Sequence, residues 1–263
     1  MNKKEEIFKI FDLSGEVAVV TGGLGQLGSE YVKVLSAAGA KVAAFDIKPG
    51  KFRVDITKKN KVQNAFKRVL KKLGTPTILV NNAGFDSPPN ATSSENGRYE
   101  DYPEESWDAV INSHLKGMHI MSQEFLQNIR PTGKSGSIIN ISSIYGLVSP
   151  DQSLYEFREK NGEQFYKPVA YSVAKSGVFN FTRWLAEYCR ASRVPIRVNT
   201  LVLGGVFAGQ NEEFLKEYNK RTLLGRMANL NEYNAAVLFL ASNKASSYMT
   251  VSQLVIDGGW TSR

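Results

Sequence analysis

The chain contains a single cysteine, Cys189, among its 263 residues. One thiol cannot form an internal disulfide, and it cannot supply a cysteine-based metal cluster. The sequence also lacks an apolar run of membrane-spanning length, and residues 1–15 carry too much charge for a secretory signal. These absences predict a cytoplasmic protein that has no metal site and no membrane partner.

The chain also lacks a concentrated stripe of basic residues, although its net charge is +8. Its lysines and arginines are scattered and interleaved with acids, as in residues 212–220. Scattered charge favours a basic surface suited to anionic small ligands over a nucleic-acid interface. With 42% hydrophobic residues, the chain is long enough to bury a large core, and we expect one α/β domain over residues 1–263.

A glycine-rich turn near the start of the chain predicts a phosphate-binding loop. The apolar run Val17 to Val20 indicates a strand, and it leads directly into TGGLGQLG at residues 21–28 and an amphipathic helix reaching Ala38. Glycines let the backbone approach a pyrophosphate, and the helix N-terminus presents unpaired N–H groups. The candidate contacts here are Gly22, Gly25, Gln26 and Leu27. A glycine pattern alone also fits a plain tight turn.

An acidic residue follows at the position where a dinucleotide ribose is expected. The second predicted strand, Lys41 to Phe45, leads into Asp46, which stands eighteen positions after Gly28. A carboxylate there would bind two free ribose hydroxyls and repel a 2'-phosphate. Asp46 therefore favours NAD as the cofactor, while the nearby Lys48 leaves NADP open.

Tyr171 and Lys175 form a candidate proton-transfer pair. The sequence from Val169 to Tyr188 has apolar residues at helical intervals, so these two side chains share one helical face, one turn apart. An ammonium roughly 4 Å from the phenol would lower the tyrosine pKa from about 10 toward neutrality. The alternative is a chance pair, with a packed ring and a solvated ammonium.

Strands and helices are predicted to alternate along the rest of the chain. Phe52 to Asp55, Thr77 to Val80 and Arg197 to Asn199 indicate further strands, and Lys58 to Leu73 indicates a helix. This order predicts a doubly wound, Rossmann-type α/β fold with a parallel sheet of about seven strands and helices on both faces. Such sheets bind ligands at the carboxyl ends of their strands.

The ordered motifs carry a family resemblance. TGGLGQLG, NNAG at residues 81–84, NISS at 140–143, YSVAK at 171–175 and IDGG at 256–259 together resemble the short-chain dehydrogenase/reductase family, over residues 12–263. The resemblance implies an NAD(P)-dependent oxidoreductase acting on a secondary alcohol or its ketone. It also implies a homodimer or homotetramer built through helices at Glu104 to Asn128 and Val169 to Ala191.

The resemblance assigns roles to particular residues. Tyr171 matches the catalytic acid and base, and Lys175 matches the residue that lowers its pKa and holds the nicotinamide ribose. Ser143 matches the serine that binds the reacting oxygen, with Ser142 as the less favoured candidate. The remaining cofactor contacts implied are Asp55 and Ile56 at the adenine, Asn82, Ala83 and Gly84 under the ribose, and Val206 in the loop after the sixth strand.

Several positions depart from the family pattern. His114 stands where the family has a catalytic asparagine, with Asn112 two positions upstream, so it either holds a catalytic water, titrates or is a satisfied core residue. Val251 stands where a glycine usually follows Thr250, and Leu203 lies in a run that lacks the usual proline. These departures keep open a non-catalytic dinucleotide sensor or scaffold.

An insertion lies between Ser143 and Tyr171, where the chain has twenty-seven residues. Its ends are pinned to the catalytic serine and helix, which predicts a lid over the substrate. The alternative is a surface excursion or subunit contact. Two more irregular stretches are expected to form walls: Phe85 to Pro103, with Pro88-Pro89 and Ser93-Ser94, and Phe207 to Leu224.

The predicted walls indicate a polar substrate. They offer a hydrogen-bonding set suited to a polyhydroxylated molecule: Asp151, Gln152, Tyr155, Glu156, Gln210 and Asn211. The insertion after Ser143, the sequence YGLVSPDQ at residues 145–152 and the run GGVF at 204–207 followed by Gln210-Asn211 together resemble a branch linked to bacterial surface-sugar pathways, including flagellin-modification and sialic-acid-like sugars. The alternative is reduction of a 3-oxoacyl group on acyl carrier protein, for which a basic docking surface would be useful.

Overall fold

The computed structural model describes residues 7–86, 93–159 and 162–262. Its centre is a seven-stranded sheet in the order β3-β2-β1-β4-β5-β6-β7, with every pairing parallel. The strands are β1 (Val17–Thr21), β2 (Lys41–Asp46), β3 (Phe52–Arg53), β4 (Ile78–Asn81), β5 (Gly136–Ser143), β6 (Ile196–Leu203) and β7 (Gln253–Ile256). The predicted sheet of about seven parallel strands is confirmed.

Helices connect the strands. They are α1 (Gln26–Ala37), α2 (Lys59–Lys72), α3 (Glu104–Ile111), α4 (Gly117–Ile129), α5 (Ile144–Leu147), α6 (Glu156–Glu159), α7 (Val169–Ala191), α8 (Glu212–Arg221) and α9 (Asn234–Ala241). Within the described ranges, none of them is both long and apolar enough to cross a bilayer.

The sheet is buried on both faces, because successive strand residues point to opposite sides. In β1, Val17 and Val19 pack with α2, α4 and α7, whereas Ala18 and Val20 pack with α1 and α9. Strand order reverses between β1 and β4, so loops leave these neighbours in opposite directions and open a crevice at their carboxyl ends. The doubly wound architecture is therefore confirmed, and it places the binding crevice.

Three predicted elements differ from the structure. The strand expected at Phe52 to Asp55 covers Phe52 and Arg53 only, and the Val54 N–H then donates to the Asp46 carbonyl oxygen at the end of β2. The helix expected at Glu104 to Asn128 is interrupted by a π-helical turn at Asn112–Lys116. Such turns often lie at functional sites.

The third difference is the stretch Phe207 to Leu224, which contains α8 instead of an irregular loop. Its N-cap is Asn211, whose side chain accepts a hydrogen bond from the Phe214 N–H at 3.0 Å. Acids occupy its first turn and bases its last, which complements the helix dipole. These capping signals were present in the sequence.

The insertion after Ser143 packs against the rest of the protein. Leu154 and Tyr155 are buried in a cluster with Tyr218, Met227 and Trp260. The guanidinium of Arg221, at the end of α8, binds Asp151 and Ser153. The described part of the insertion is therefore an anchored wall, while residues 160–161 of the predicted lid lie outside the described residues.

Candidate active site

A cavity of about 680 Å³ lies at the carboxyl ends of the strands, around the junction of β1 and β4. All the site residues predicted from the sequence line it: Gly22, Gly25, Gln26, Leu27, Asp46, Asp55, Ile56, Asn82, Ala83, Gly84, Ser143, Tyr171, Lys175 and Val206. The fold thus brings together residues spread over more than two thirds of the chain.

The glycine loop forms a cradle that only small residues allow. Gly22 has a φ of +63°, and a Cβ added at Gly28 would lie 2.0 Å from the Gly22 carbonyl oxygen. No side chain in the described part of the chain caps α1, so its first N–H groups remain available beside Gln26 and Leu27. This cradle fits the pyrophosphate of a dinucleotide.

Asp46 is held in one orientation at the end of β2. Its two carboxylate oxygens accept hydrogen bonds from the backbone N–H groups of Leu24 at 3.0 Å and Lys48 at 2.9 Å. The residue is buried but lines the cavity. Each oxygen keeps a further lone pair, so the carboxylate remains suited to ribose hydroxyls. The Lys48 ammonium lies at the glycine loop, 3.5 Å from the Leu24 carbonyl oxygen.

His114 is a buried, neutral histidine. Its Nε2 donates to the Phe85 carbonyl oxygen at 3.1 Å, and its ring meets the Tyr171 ring edge-on at 5.5 Å between centroids. Burial and then the charge of Lys175 hold the pKa of His114 well below its usual range. A Cβ at Gly84 would lie 2.1 Å from this imidazole. The satisfied core residue is therefore the interpretation that the structure supports.

Two adjacent serines end β5 and have different surroundings. The Ser142 hydroxyl donates to the Lys175 carbonyl oxygen at 2.9 Å, so it fastens β5 to α7. The Ser143 hydroxyl accepts from the Tyr145 N–H at 3.2 Å, and Ser143 lies near enough to the Tyr171 phenol to act on its pKa, which it lowers. Of the two serines, Ser143 is therefore the one whose hydroxyl is not bound to α7, which is consistent with the role that the resemblance implies for it.

Tyr171 and Lys175 lie one turn apart on α7, as expected, but their electrostatics differ from the prediction. The Lys175 ammonium is 5.6 Å from the Tyr171 ring centroid and donates to the Ile141 carbonyl oxygen at 3.0 Å. Burial, and then the charge of Asp86, raise the pKa of Tyr171 to about 12. Burial also lowers the pKa of Lys175 to about 8. The predicted lowering of the tyrosine pKa is not seen in this structure, because burial and then the charge of Asp86 raise it.

The part of the cavity lined by Tyr145, Tyr155 and Lys167 of the insertion and by Phe214 and Tyr218 of α8 is called the substrate half. It is more aromatic than predicted. Of the six polar wall residues proposed from the sequence, Tyr155 and Gln210 line the cavity. Asp151 instead pairs with Arg221, and Asn211 caps α8. The other two, Gln152 and Glu156, are exposed away from this cavity, and Gln152 accepts from the Lys167 N–H at 2.9 Å. Four of the six proposed polar residues therefore bind other protein groups or are exposed instead of lining the cavity.

Several residues of this half were not singled out from the sequence. They are Phe85, Asp86, Tyr145, Lys167, Phe214, Tyr218 and Met227. Position offered a signal for two of them: Asp86 follows the NNAG turn by two residues, and Lys167 directly precedes Pro168 at the start of α7. The predicted wall at Phe85 to Pro103 is described only in part, because Pro88-Pro89 lie outside the described residues and Ser93-Ser94 are described as backbone only.

Val251 has the conformation that explains the family preference for glycine at its position. Its φ is +62°, in the left-handed region that a β-branched side chain rarely adopts. Its N–H donates to the Val198 carbonyl oxygen at 2.7 Å, which holds the turn before β7 against β6. Valine in place of glycine at position 251 therefore introduces backbone strain, and its side chain does not line the cavity.

Known proteins resemble this chain over nearly its whole length. A family model described as enoyl-(acyl carrier protein) reductase matches residues 26–261. The NADH-dependent L-xylulose reductase of Ambrosiozyma monospora is 29% identical, with 96% of this chain and 97% of that protein covered. A 3-oxoacyl-(acyl-carrier-protein) reductase of Thermotoga maritima is 28% identical, with 94% and 98% covered.

A solved structure agrees with these relatives. The short-chain dehydrogenase of Leptospira borgpetersenii with bound NAD+ is 31% identical and has a TM-score of 0.82, with 96% of this chain and 95% of that chain covered. Fold, cavity and relatives define a nicotinamide-dinucleotide-dependent oxidoreductase that acts on CH–OH groups. The chain belongs to the short-chain dehydrogenase/reductase family.

Proposed function

We propose that this enzyme interconverts a secondary alcohol and a ketone on a sugar or sugar derivative. The observation that carries the proposal is the joining of two features in one cavity: Ser143 beside Tyr171, and an ion pair of Asp86 and Lys167 in which Oδ1 of Asp86 has no partner among the described residues. A carboxylate oxygen that lacks a donor favours a hydroxyl-bearing substrate, because an apolar chain would leave it unpaired.

The proposed mechanism assigns one task to each residue. A nicotinamide dinucleotide held along Asp46, Asn82 and Lys175 would supply the hydride chemistry. Ser143 binds the substrate oxygen and keeps it beside the Tyr171 hydroxyl. Because the pKa of Tyr171 is about 12, its phenol is protonated at neutral pH and donates a proton to the forming alkoxide when a ketone is reduced. Lys175 orients the cofactor ribose and holds α7 to β5 through Ile141.

The cofactor proposed is NAD. Asp46 supports it, since both oxygens are fixed by backbone N–H groups and the negative charge would repel a 2'-phosphate. The remaining cofactor contacts are proposed as the sequence predicted them.

A second candidate is reduction of a 3-oxoacyl group on acyl carrier protein. The apolar side chains of Phe85, Phe214 and Met227 in the substrate half favour it, together with the similarity to the Thermotoga reductase. The two candidates demand opposite pockets, since one substrate carries hydroxyls next to the reacting carbon and the other carries methylenes.

The experiment that separates them is an initial-rate assay of nicotinamide absorbance. Pentuloses, pentitols, glycerol, sugar phosphates, nucleotide sugars and amino sugars are compared with a 3-oxoacyl thioester, and each is tested with NAD(H) and NADP(H). We expect turnover of hydroxylated substrates with NAD(H). Turnover confined to the thioester would replace the proposed function with the second candidate.

We further propose that the substrate belongs to surface-sugar biosynthesis, on the resemblance of residues 145–152. The nucleotide-sugar and amino-sugar arms of the same assay test this step. Turnover of simple polyols alone would remove the surface-sugar assignment and leave the sugar oxidoreductase in place.

A further inference from the structure

An ion pair crosses the substrate half of the cavity. Asp86 lies after β4, two residues beyond Gly84, and Lys167 lies at the end of the insertion, just before Pro168 caps α7. The Lys167 ammonium binds Asp86 through its Oδ2. Both side chains line the cavity. The pair thus links the wall after β4 to the insertion between Ser143 and Tyr171.

One oxygen of this pair is left over. Oδ1 of Asp86 is buried and has no hydrogen-bond partner among the residues that the structure describes. A buried carboxylate oxygen without a donor is costly, and such atoms in native proteins usually have a reason. A carboxylate only accepts hydrogen bonds, so the missing group is a donor.

The pair also lies next to the proton-transfer group. The Lys167 ammonium is 5.4 Å from the Tyr171 ring centroid. The negative charge of Asp86 acts on Tyr171 and on Lys175, since it raises the pKa of each. A substituent on the carbon beside the reacting one would therefore meet this pair while the substrate oxygen lies at Ser143 and Tyr171.

We propose that Asp86 and Lys167 are the specificity-determining residues of the site and bind a hydroxyl group on the carbon next to the reacting one. This inference rests on the proposed sugar oxidoreductase function and deepens it. A hydroxyl fits both partners, because it donates to Oδ1 of Asp86 and accepts one of the three N–H groups of the Lys167 ammonium. A methylene, as in a 3-oxoacyl thioester, satisfies neither.

The test compares ketones that differ by that one hydroxyl. Reduction rates are measured for hydroxyacetone against acetone and for 1-hydroxy-2-butanone against 2-butanone, because each pair differs by the single hydroxyl next to the carbonyl carbon. In the wild type we expect kcat/KM to be about ten- to a hundredfold higher for the hydroxylated member of each pair. In Asp86→Ala and in Lys167→Met we expect the preference to fall below about threefold, mainly through loss of activity on the hydroxylated ketone.

A matched control lies in the same insertion. Arg158 and Glu163 form an exposed ion pair at 3.9 Å that is absent from the cavity lining. Glu163→Gln should therefore keep the full preference. Thermal unfolding and NAD titration of each variant establish that it is folded, and if Asp86→Ala fails to fold, Lys167→Met decides alone.

The outcomes separate this inference from the proposed function. If the wild type reduces hydroxyketones but both variants keep the full preference, the ion pair does not select the hydroxyl, and the sugar oxidoreductase stands. If the wild type reduces the thioester and no hydroxyketone, the proposed function and this inference both fail. If both variants lose the preference for the hydroxylated ketone and Glu163→Gln keeps it, the result supports hydroxyl binding by Asp86 and Lys167.

Discussion

The part of the cavity lined by the glycine loop and Asp46, the cofactor half, is formed mainly by backbone groups and glycines. The substrate half is formed mainly by side chains of long connecting segments. Gly22, Gly28 and the uncapped start of α1 leave space and N–H groups for phosphates. Across the cavity, Tyr155, Lys167 and Phe214 come from the insertion and from α8. One half of the cavity is shaped by short turns that follow the strands, and the other half by the insertion after Ser143 and by α8.

This difference separates two kinds of specificity. In the proposed function, the cofactor is selected by a residue at a strand end, Asp46, which two backbone N–H groups hold in place. The substrate is proposed to be selected by a contact between loops, the ion pair of Asp86 and Lys167. Mutations in the substrate half should therefore leave the affinity for NAD unchanged, and mutations in the cofactor half should leave the preference among substrates unchanged. Tyr171 and Lys175 are the exceptions, because the two halves meet there.

The largest expected effect is at that meeting point. Tyr171→Phe removes the hydroxyl that transfers the proton and keeps the ring that packs on His114, so kcat should fall about 10²- to 10⁴-fold. The affinity for NAD should stay nearly unchanged. Stopped-flow rates and a fluorescence titration measure the two quantities.

Tyr166→Phe is the matched control for Tyr171→Phe, because Tyr166 lies in the insertion and does not line the cavity that Tyr171 lines. It should keep wild-type turnover. Wild-type turnover in Tyr171→Phe itself would remove Tyr171 from the mechanism.

The next effect concerns the cofactor half alone. The wild type should bind NAD at least about tenfold more tightly than NADP, and Asp46→Asn should narrow that ratio by weakening NAD, since the charge that binds the ribose hydroxyls is lost. Calorimetric titration of both dinucleotides measures the ratio. The wild type could instead bind NAD and NADP equally, and Lys48→Gln could lose affinity for NADP alone. That result would show that Lys48 binds the 2'-phosphate and that the interpretation of Asp46 is wrong.

A third effect crosses from the substrate half to the proton-transfer group. Asp86 raises the pKa of Tyr171, so Asp86→Asn should lower that pKa and move the rise of the alcohol-oxidation rate to lower pH, by roughly half to one pH unit. Lys167→Met removes a positive charge near the ring and should move the profile to higher pH. The pH dependence of kcat reports both. Shifts in the same direction would mean that neither charge acts on Tyr171 in this way.

The smallest effect lies outside both halves. Val251→Gly relieves a left-handed β-branched residue and should raise the free energy of unfolding by about 1 kcal/mol, with turnover unchanged. Arg193, at a φ of +55°, is not β-branched, so Arg193→Gly should gain less. Chemical denaturation measures both. A destabilised Val251→Gly would show that the Val251 side chain contributes more by packing than its backbone strain costs.

The cofactor half could be predicted from the sequence because its determinants are local. A strand, a glycine turn and a helix are contiguous in residues 17–37, and Asp46 ends the next strand. The π-helical turn at Asn112–Lys116 gave no such signal, since the apolar spacing of a helix continues through it.

The substrate half was predicted less well because its contacts are non-local. Asp86 and Lys167 are 81 positions apart in the chain, and no spacing rule connects them. Likewise, the polar residues Asp151 and Asn211 were expected to face the substrate, but they bind Arg221 and the start of α8. Whether a loop side chain caps its own backbone or faces a ligand depends on the packing of the whole cavity.

The most direct test of this division is a calorimetric NAD titration of the double variant Asp86→Ala/Lys167→Met, beside its rate of D-xylulose reduction. If the two halves bind their ligands independently, the NAD dissociation constant should stay within about twofold of the wild type, and kcat/KM for D-xylulose should fall at least about tenfold. A loss of NAD affinity as large as the loss of kcat/KM would contradict it, because the ion pair would then shape the whole cavity.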